Sequence, residues 1–210
     1  MSLTQSVVLS CAGIGSRLGL AQTKALVQIM GKSIIGWQME IFAEVEDLRI
    51  VVGYQAMEVV REVREYRNDA IFVYNHDYFH TKTGRSYLLG GRHGNELAVA
   101  WDGDLLVHPD DARRLLSMRR EYVAYTEPTS DEPIFVDVDA AGNVVSFSDK
   151  EGGYEWSGPC CVRKDRLQER GVDVYHMLEP LLPLPGVKIR AQDIDTYDDY
   201  KRAENFIRSW

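Results

Sequence analysis

The stretch that follows the first apolar run carries the groups a polyphosphate needs. A β-rich run over residues 6–12 opens into Gly13-Ile14-Gly15-Ser16-Arg17-Leu18-Gly19, and Lys24 stands seven residues beyond Arg17. A strand ending in glycines lets main chain approach a phosphate closely, with N–H groups free to donate. Arg17 and Lys24 add two fixed positive charges to the same loop. A glycine turn that merely joined strand to helix would need neither. Two loop motifs fit poorly. A dinucleotide fingerprint wants its third glycine where Leu18 stands, and an acid after the second strand, where Val51-Val52-Gly53-Tyr54 offers none. Gly31-Lys32-Ser33 ends like a P-loop, but Leu26 holds the first glycine position and no strand leads into it.

Carboxylates gather at two other places. The run over residues 97–101 leads straight into Asp102-Gly103-Asp104, and Asp193-Ile194-Asp195 follows another short strand candidate near the C-terminus. Acids at the carboxyl end of a central parallel strand lie in the crevice where open α/β sheets bind ligands. Two hard oxygen ligands from distant segments suit Mg²⁺ shared with a nucleotide, since phosphate oxygens and water complete its shell. Alternation along an extended backbone leaves two pairings open, Asp104 with Asp195 or Asp102 with Asp193.

The elements that must hold these groups follow from the apolar pattern. Runs at residues 6–12, 49–53, 70–74 and 97–101 read as short buried strands, and amphipathic stretches at 34–45, 56–66 and 85–92 read as helices between them. This alternation implies parallel pairing with right-handed crossovers. A helix over 109–120 has proline in its first turn. Beyond it, residues 122–126, 134–138, 144–147 and 158–162 are strand candidates, with Asp139-Ala140-Ala141-Gly142-Asn143 as a hairpin turn. A helix over 173–182, a strand over 188–194 and a helix over 196–208 complete the chain, with Asp198 and Asp199 in the first turn of the last. The expected fold is a single α/β, Rossmann-like domain over residues 1–210. It has a mostly parallel mixed sheet flanked by helices and a small β insertion on the acceptor side. About 1–120 form the nucleotide half and about 121–210 the acceptor half.

With 210 residues the chain is long enough for a sizeable core, and its net charge of −8 argues against a nucleic-acid groove. No run approaches the length of a membrane span, and no secretory leader is visible, so a cytoplasmic protein is expected. Cys11, Cys160 and Cys161 have neither metal nor disulfide spacing and read as buried small residues; the five histidines form no ligand cluster.

The run Ala12-Gly13-x-Gly15-Ser16-Arg17-Leu18, then Lys24-Ala25-Leu26 and Gly31-Lys32-Ser33-Ile34-Ile35, closely resembles the opening of the sugar-1-phosphate and phosphocholine nucleotidyltransferases. Ser16, Thr23 and Ser33 replace residues more usual there, and no phosphate-binding charge is lost. The resemblance implies that Ala12, Gly13, Gly15 and Ser16 bind nucleotide, that Arg17 and Lys24 are catalytic, and that Asp104 is the first metal ligand. The run Asp193-Ile194-Asp195-Thr196-Tyr197-Asp198-Asp199-Tyr200 resembles the family's late acidic element and makes Asp195 the second ligand. Asp102 becomes a nucleotide contact. Asn75, Tyr78, Thr81 and Ser86 match a segment of the phosphocholine and aminoethylphosphonate cytidylyltransferase branch, although Lys82 and His76 depart from it. That match favours CTP, with Asn75, Thr81 and Ser86 on the nucleotide and Tyr78 on the acceptor. Lys150, Glu155 and Trp156 resemble the acceptor-phosphate lysine and the acceptor-pocket element, with Trp156 and Tyr154 as an aromatic wall for an organic cation.

The expected reaction joins a nucleoside triphosphate to a small phosphorylated or phosphonylated acceptor, with Mg²⁺ as cofactor and pyrophosphate released. A glycosyltransferase would lack the Arg17 and Lys24 pair, having no triphosphate tail to neutralise. A molybdenum-cofactor guanylyltransferase would lack the 75–86 element, and a non-catalytic nucleotide-binding regulator would bind triphosphate without releasing pyrophosphate. The region after Tyr122 is short for the family, which leaves open a reduced acceptor pocket or one completed by a second subunit in a homodimer.

Overall fold

The computed structural model describes residues 3–15, 22–130 and 132–210. In chain order the first half contributes β1 (Gln5–Cys11), β2 (Gln28–Ile29), β3 (Lys32–Ser33), α1 (Ile34–Ile41), β4 (Leu48–Val52) and α2 (Ala56–Arg64). It continues with β5 (Ile71–Tyr74), α3 (Thr83–Gly91), β6 (Leu97–Asp102), β7 (Leu105–Val107) and α4 (Pro109–Ser117). The second half contributes β8 (Tyr122–Thr126), β9 (Phe135–Val138), β10 (Asn143–Ser148), β11 (Tyr154–Arg163) and α5 (Val174–Leu178). It ends with β12 (Leu184–Lys188), β13 (Ala191–Asp193) and α6 (Tyr197–Arg208).

Among the described residues, nine strands form one sheet in the order β5-β4-β1-β6-β11-β8-β12-β10-β9. From β5 to β6 the pairing is parallel, as is β12 with β8; β11 runs antiparallel to both β6 and β8. The strands of the second half therefore extend the first half's sheet edge to edge. Parallel strands covered on both faces are continuously apolar, which is why Val7, Val8 and Leu9 of β1 and Ala98 to Trp101 of β6 are all buried. Alternation sends Val7 and Leu9 to a layer with Ile35, Met39, Val59 and Leu115 from α1, α2 and α4. Val8 faces the opposite layer, with Tyr87, Leu88, Met177 and Leu178 from α3 and α5. A third cluster packs Ala203 and Ile207 of α6 on Ile29, Leu106 and Ile194.

The Gly31-Lys32-Ser33 tripeptide serves structure here. Gly31 has φ +82° in the β2–β3 turn, Lys32 pairs with Glu40, and the Ser33 hydroxyl accepts from Gly36 N at 3.0 Å as the cap of α1. The strand expected over 188–194 is two strands. Arg190 turns away, its N–H and Nε donating to Asp111 at 3.0 and 2.7 Å. Residues before it therefore join β8, while β13 crosses to pair with β7. The helix expected over 173–182 stops at Leu178 and tightens into a 3₁₀ turn over Glu179–Leu181. All three cysteines are free and buried, and no helix among the described residues is long and apolar enough to cross a membrane.

Candidate active site

A cleft of about 370 Å³ opens where β1 and β6 end, between the glycine loop and the start of α3. Ala12, Gly13, Gly15, Lys24, Asn75, Tyr78, Thr81, Ser86, Asp102 and Asp104 all line it, so the structure gathers most of the expected site. Ser16 and Arg17 lie outside the described residues. Gly15 has φ +68°, and a Cβ there would meet Lys24 Cγ at 2.9 Å and Gln22 O at 3.0 Å. Only glycine lets the lysine segment pack this closely against the loop. A Cβ at Gly13 would meet nothing within 4 Å, which leaves main chain open toward the cleft.

Lys24 is the centre of the charge arrangement. It begins a 3₁₀ turn over Lys24–Leu26, and its ammonium donates to Asp104 at 2.7 Å and also to Asp195. The three side chains are 12%, 24% and 20% exposed. Burial works against the Lys24 charge, but Asp104 and then Asp193 outweigh it and hold the ammonium above its ordinary pKa. Asp102 is pushed up to about 7, first by burial and then by the charge of Asp104; burial also raises Asp193, with Asp104 and Asp195 adding to it. Asp104 and Asp195 thus meet at the Lys24 ammonium, and Asp102 and Asp193 lie beside them held toward their neutral forms, so an added cation would draw them back toward the charged form.

Those carboxylates fit a hard divalent ion. Asp104 and Asp195 reach one cationic centre, Lys24 Nζ, which shows that both can be satisfied from a single point. Among the described residues no three His, Cys, Asp or Glu side chains form a cage. A two-carboxylate site finished by phosphate oxygens and water is the kind Mg²⁺ uses.

Asn75, Thr81 and Ser86 form one network. The Asn75 amide donates to Thr81 Oγ1 at 2.9 Å and Ser86 Oγ at 3.4 Å, while its Oδ1 accepts from Asp77 N at 3.2 Å. Tyr78 packs on Gly53, where a Cβ would lie 2.7 Å from its own. Of the expected acceptor residues, Tyr78 lines this cleft, whereas Lys150, Glu155 and Trp156 do not. The Glu155 carboxylate is buried and accepts from Thr129 N at 2.6 Å and from Ser130 N at 3.2 Å, so it shapes the 129–130 loop. Trp156 packs edge-on against Phe147 and against Tyr175, with centroids 6.1 and 6.0 Å away. The other half of the expected aromatic wall, Tyr154, faces Tyr125 at 4.8 Å with Lys188 over its ring. Lys150 is exposed beyond β10.

Sequence reasoning missed Asp173. It lines the cleft and pairs with Lys82 at 3.3 Å, joining the starts of α3 and α5 across the opening. An aspartate before an apolar helical stretch reads only as a cap, and that reading absorbed the signal.

A model of the MobA-like NTP transferase domain matches residues 7–166. No protein with a curated description matches the sequence. Among solved structures, the CTP:phosphocholine cytidylyltransferase from Streptococcus pneumoniae superposes with a TM-score of 0.75 at 20% identity, covering 97% of this chain and 99% of that one. The inositol-1-phosphate CTP transferase from T. maritima gives 0.76 at 16%, covering 97% and 96%. A UDP-glucose pyrophosphorylase complexed with UDP-glucose gives 0.76 at 16%, covering 99% of each chain. At these identities the likeness establishes the fold.

Proposed function

We propose a specific reaction for a chain that belongs to the MobA-like NTP transferase domain family and is a nucleotidyltransferase: transfer of CMP from CTP to a small phosphorylated or phosphonylated acceptor. An acceptor oxygen attacks the α-phosphorus in line. The bond from that phosphorus to the bridging oxygen breaks, and the oxygen leaves with its electron pair as part of pyrophosphate. A phosphate monoester is largely ionised at neutral pH, its second pKa being about 6, so no side chain need take a proton. Catalysis is then positioning and charge neutralisation.

The observation that carries this reading is the convergence of Lys24, Asp104 and Asp195 beside an open glycine loop. Lys24 neutralises charge that builds on the α-phosphate, and Arg17 does the same for departing pyrophosphate. Gly13 and Gly15 present main chain to the phosphates. The network of Asn75, Thr81 and Ser86 holds the base edge, and Asp102 is assigned to the nucleotide. Tyr78 and Lys150 are assigned to the acceptor. Asp104 and Asp195 would hold Mg²⁺, which when bound draws charge from the α-phosphate and acceptor oxygens.

The test is a matrix of the four nucleoside triphosphates against phosphocholine, 2-aminoethylphosphonate and several sugar 1-phosphates, read by pyrophosphate release with and without Mg²⁺. The expected result is release in the CTP row, dependent on acceptor and on Mg²⁺. Release confined to another triphosphate overturns the base assignment. Triphosphate binding with no release across the panel overturns the reaction.

A further inference from the structure

We infer that Gln38 is a positioning residue for Asp104, acting through the turn that carries this carboxylate; the inference rests on the metal-binding reading proposed above. Gln38 lies on α1 and is 0% exposed. Its Nε2 donates to the carbonyl oxygens of Asp102 and Leu105, both at 2.8 Å. Those carbonyls flank Gly103 and Asp104, the two residues that carry the chain from β6 into β7. The turn is held from its other side by β1. Gly103 N donates to Ser10 O at 3.0 Å, and a Cβ on Gly103 would sit 2.7 Å from Cys11 Sγ. With both sides fixed, the Asp104 side chain is left to reach Lys24 Nζ at 2.7 Å.

A buried amide is favourable only where its groups are bonded. Gln38 Oε1 has no hydrogen-bond partner among the described residues, so the hydrogen bonds of this side chain are those of its amino group. The same helix also fixes the lysine segment. Ile34 N, at the start of α1, donates to Val27 O at 3.0 Å, directly after the Lys24–Leu26 turn. One rigid element therefore sets the separation of the lysine from its aspartate. Partners that orient a metal ligand from behind typically carry 10–100-fold in metal affinity.

The experiment compares wild type with Gln38→Met, which keeps the length of the side chain and removes both donors. Gln38→Asn, which keeps an amide of shorter reach, carries the test if Gln38→Met does not fold. Mn²⁺ binding in the presence of a non-hydrolysable CTP analogue is read by electron paramagnetic resonance. Alongside it run the Mg²⁺ dependence of pyrophosphate release and the thermal midpoint. The expected result is Mn²⁺ affinity weakened by about 10–100-fold. Raised Mg²⁺ should then recover turnover, with KM for CTP nearly unchanged once metal saturates. Loss of thermal stability with Mn²⁺ affinity as in wild type overturns the positioning role and leaves the metal reading intact. Failure of wild type itself to bind Mn²⁺ with nucleotide overturns both.

Discussion

Replacing Lys24 by methionine keeps the side chain's reach and removes an ammonium that bonds both Asp104 and Asp195. Two effects separate. For turnover, a donor aimed at developing phosphate charge is worth roughly 10²–10³-fold, about 2.7–4 kcal/mol of barrier. For stability, breaking a fully buried pair costs about 3–5 kcal/mol. Here Asp104 and Asp195 keep 24% and 20% of their side chains exposed, so water screens what remains. About 1–2 kcal/mol is therefore expected, a fall of roughly 2–8 °C in Tm for a domain of this size. Divalent salt should restore part of it. Two carboxylates with no ammonium between them take a divalent ion more readily, so Mg²⁺ raises the Tm of Lys24→Met by more than it raises that of wild type. Steady-state pyrophosphate release gives the first number and thermal melts across a Mg²⁺ series give the second. Turnover close to wild type refutes the phosphate role of Lys24. Equal Mg²⁺ shifts in both proteins refute the shared cation position.

Gly90→Ala tests the core under the site: its Cβ would run into Val8 Cγ1, so overpacking should cost about 1–3 kcal/mol in urea unfolding, and an unchanged midpoint refutes this. Thr196→Ala removes the hydroxyl that accepts from Asp199 N at 3.2 Å and caps α6, next to Asp195. It should cost about 1 kcal/mol and raise the Mg²⁺ requirement, so loss of stability with an unmoved Mg²⁺ midpoint separates cap from site. Asp111→Asn tests pH dependence. Burial pushes the Asp111 carboxyl up, but hydrogen bonds from Arg190 outweigh it and hold it below the usual carboxylate range. The stabilisation is present above the unfolded pKa of about 3.9 and is lost as pH falls through the lower folded value. The stability gap between wild type and Asp111→Asn should therefore hold from neutral pH to about pH 4 and close below it. A gap that does not change with pH in urea melts contradicts the assignment.

What could be read from the sequence divides by how local its physical cause is. β1, β4 and β6 were legible to within a residue or so because a parallel strand covered on both faces must be continuously apolar. The meeting of Lys24, Asp104 and Asp195 in space was legible because motif and strand-end position travel together along the chain. Residues 188–194 were not. Ile189 N donates to Tyr125 O at 2.8 Å and Arg190 reaches Asp111, so partners far off in sequence break one expected strand into two. Glu155 failed for the same reason: its partners, Thr129 and Ser130, sit in a loop with no pattern to announce them. Gln38 is the sharpest case. Alone it is one polar residue on an amphipathic stretch, and its purpose lies in two carbonyls more than sixty residues away. Groups that meet substrate carry a local backbone requirement and leave a mark in sequence. Groups that hold them in place satisfy remote polar atoms and leave none, so a cleft's supports have to be read from hydrogen-bond partners, beginning with the buried amide whose loss should loosen Asp104 before it unfolds the chain.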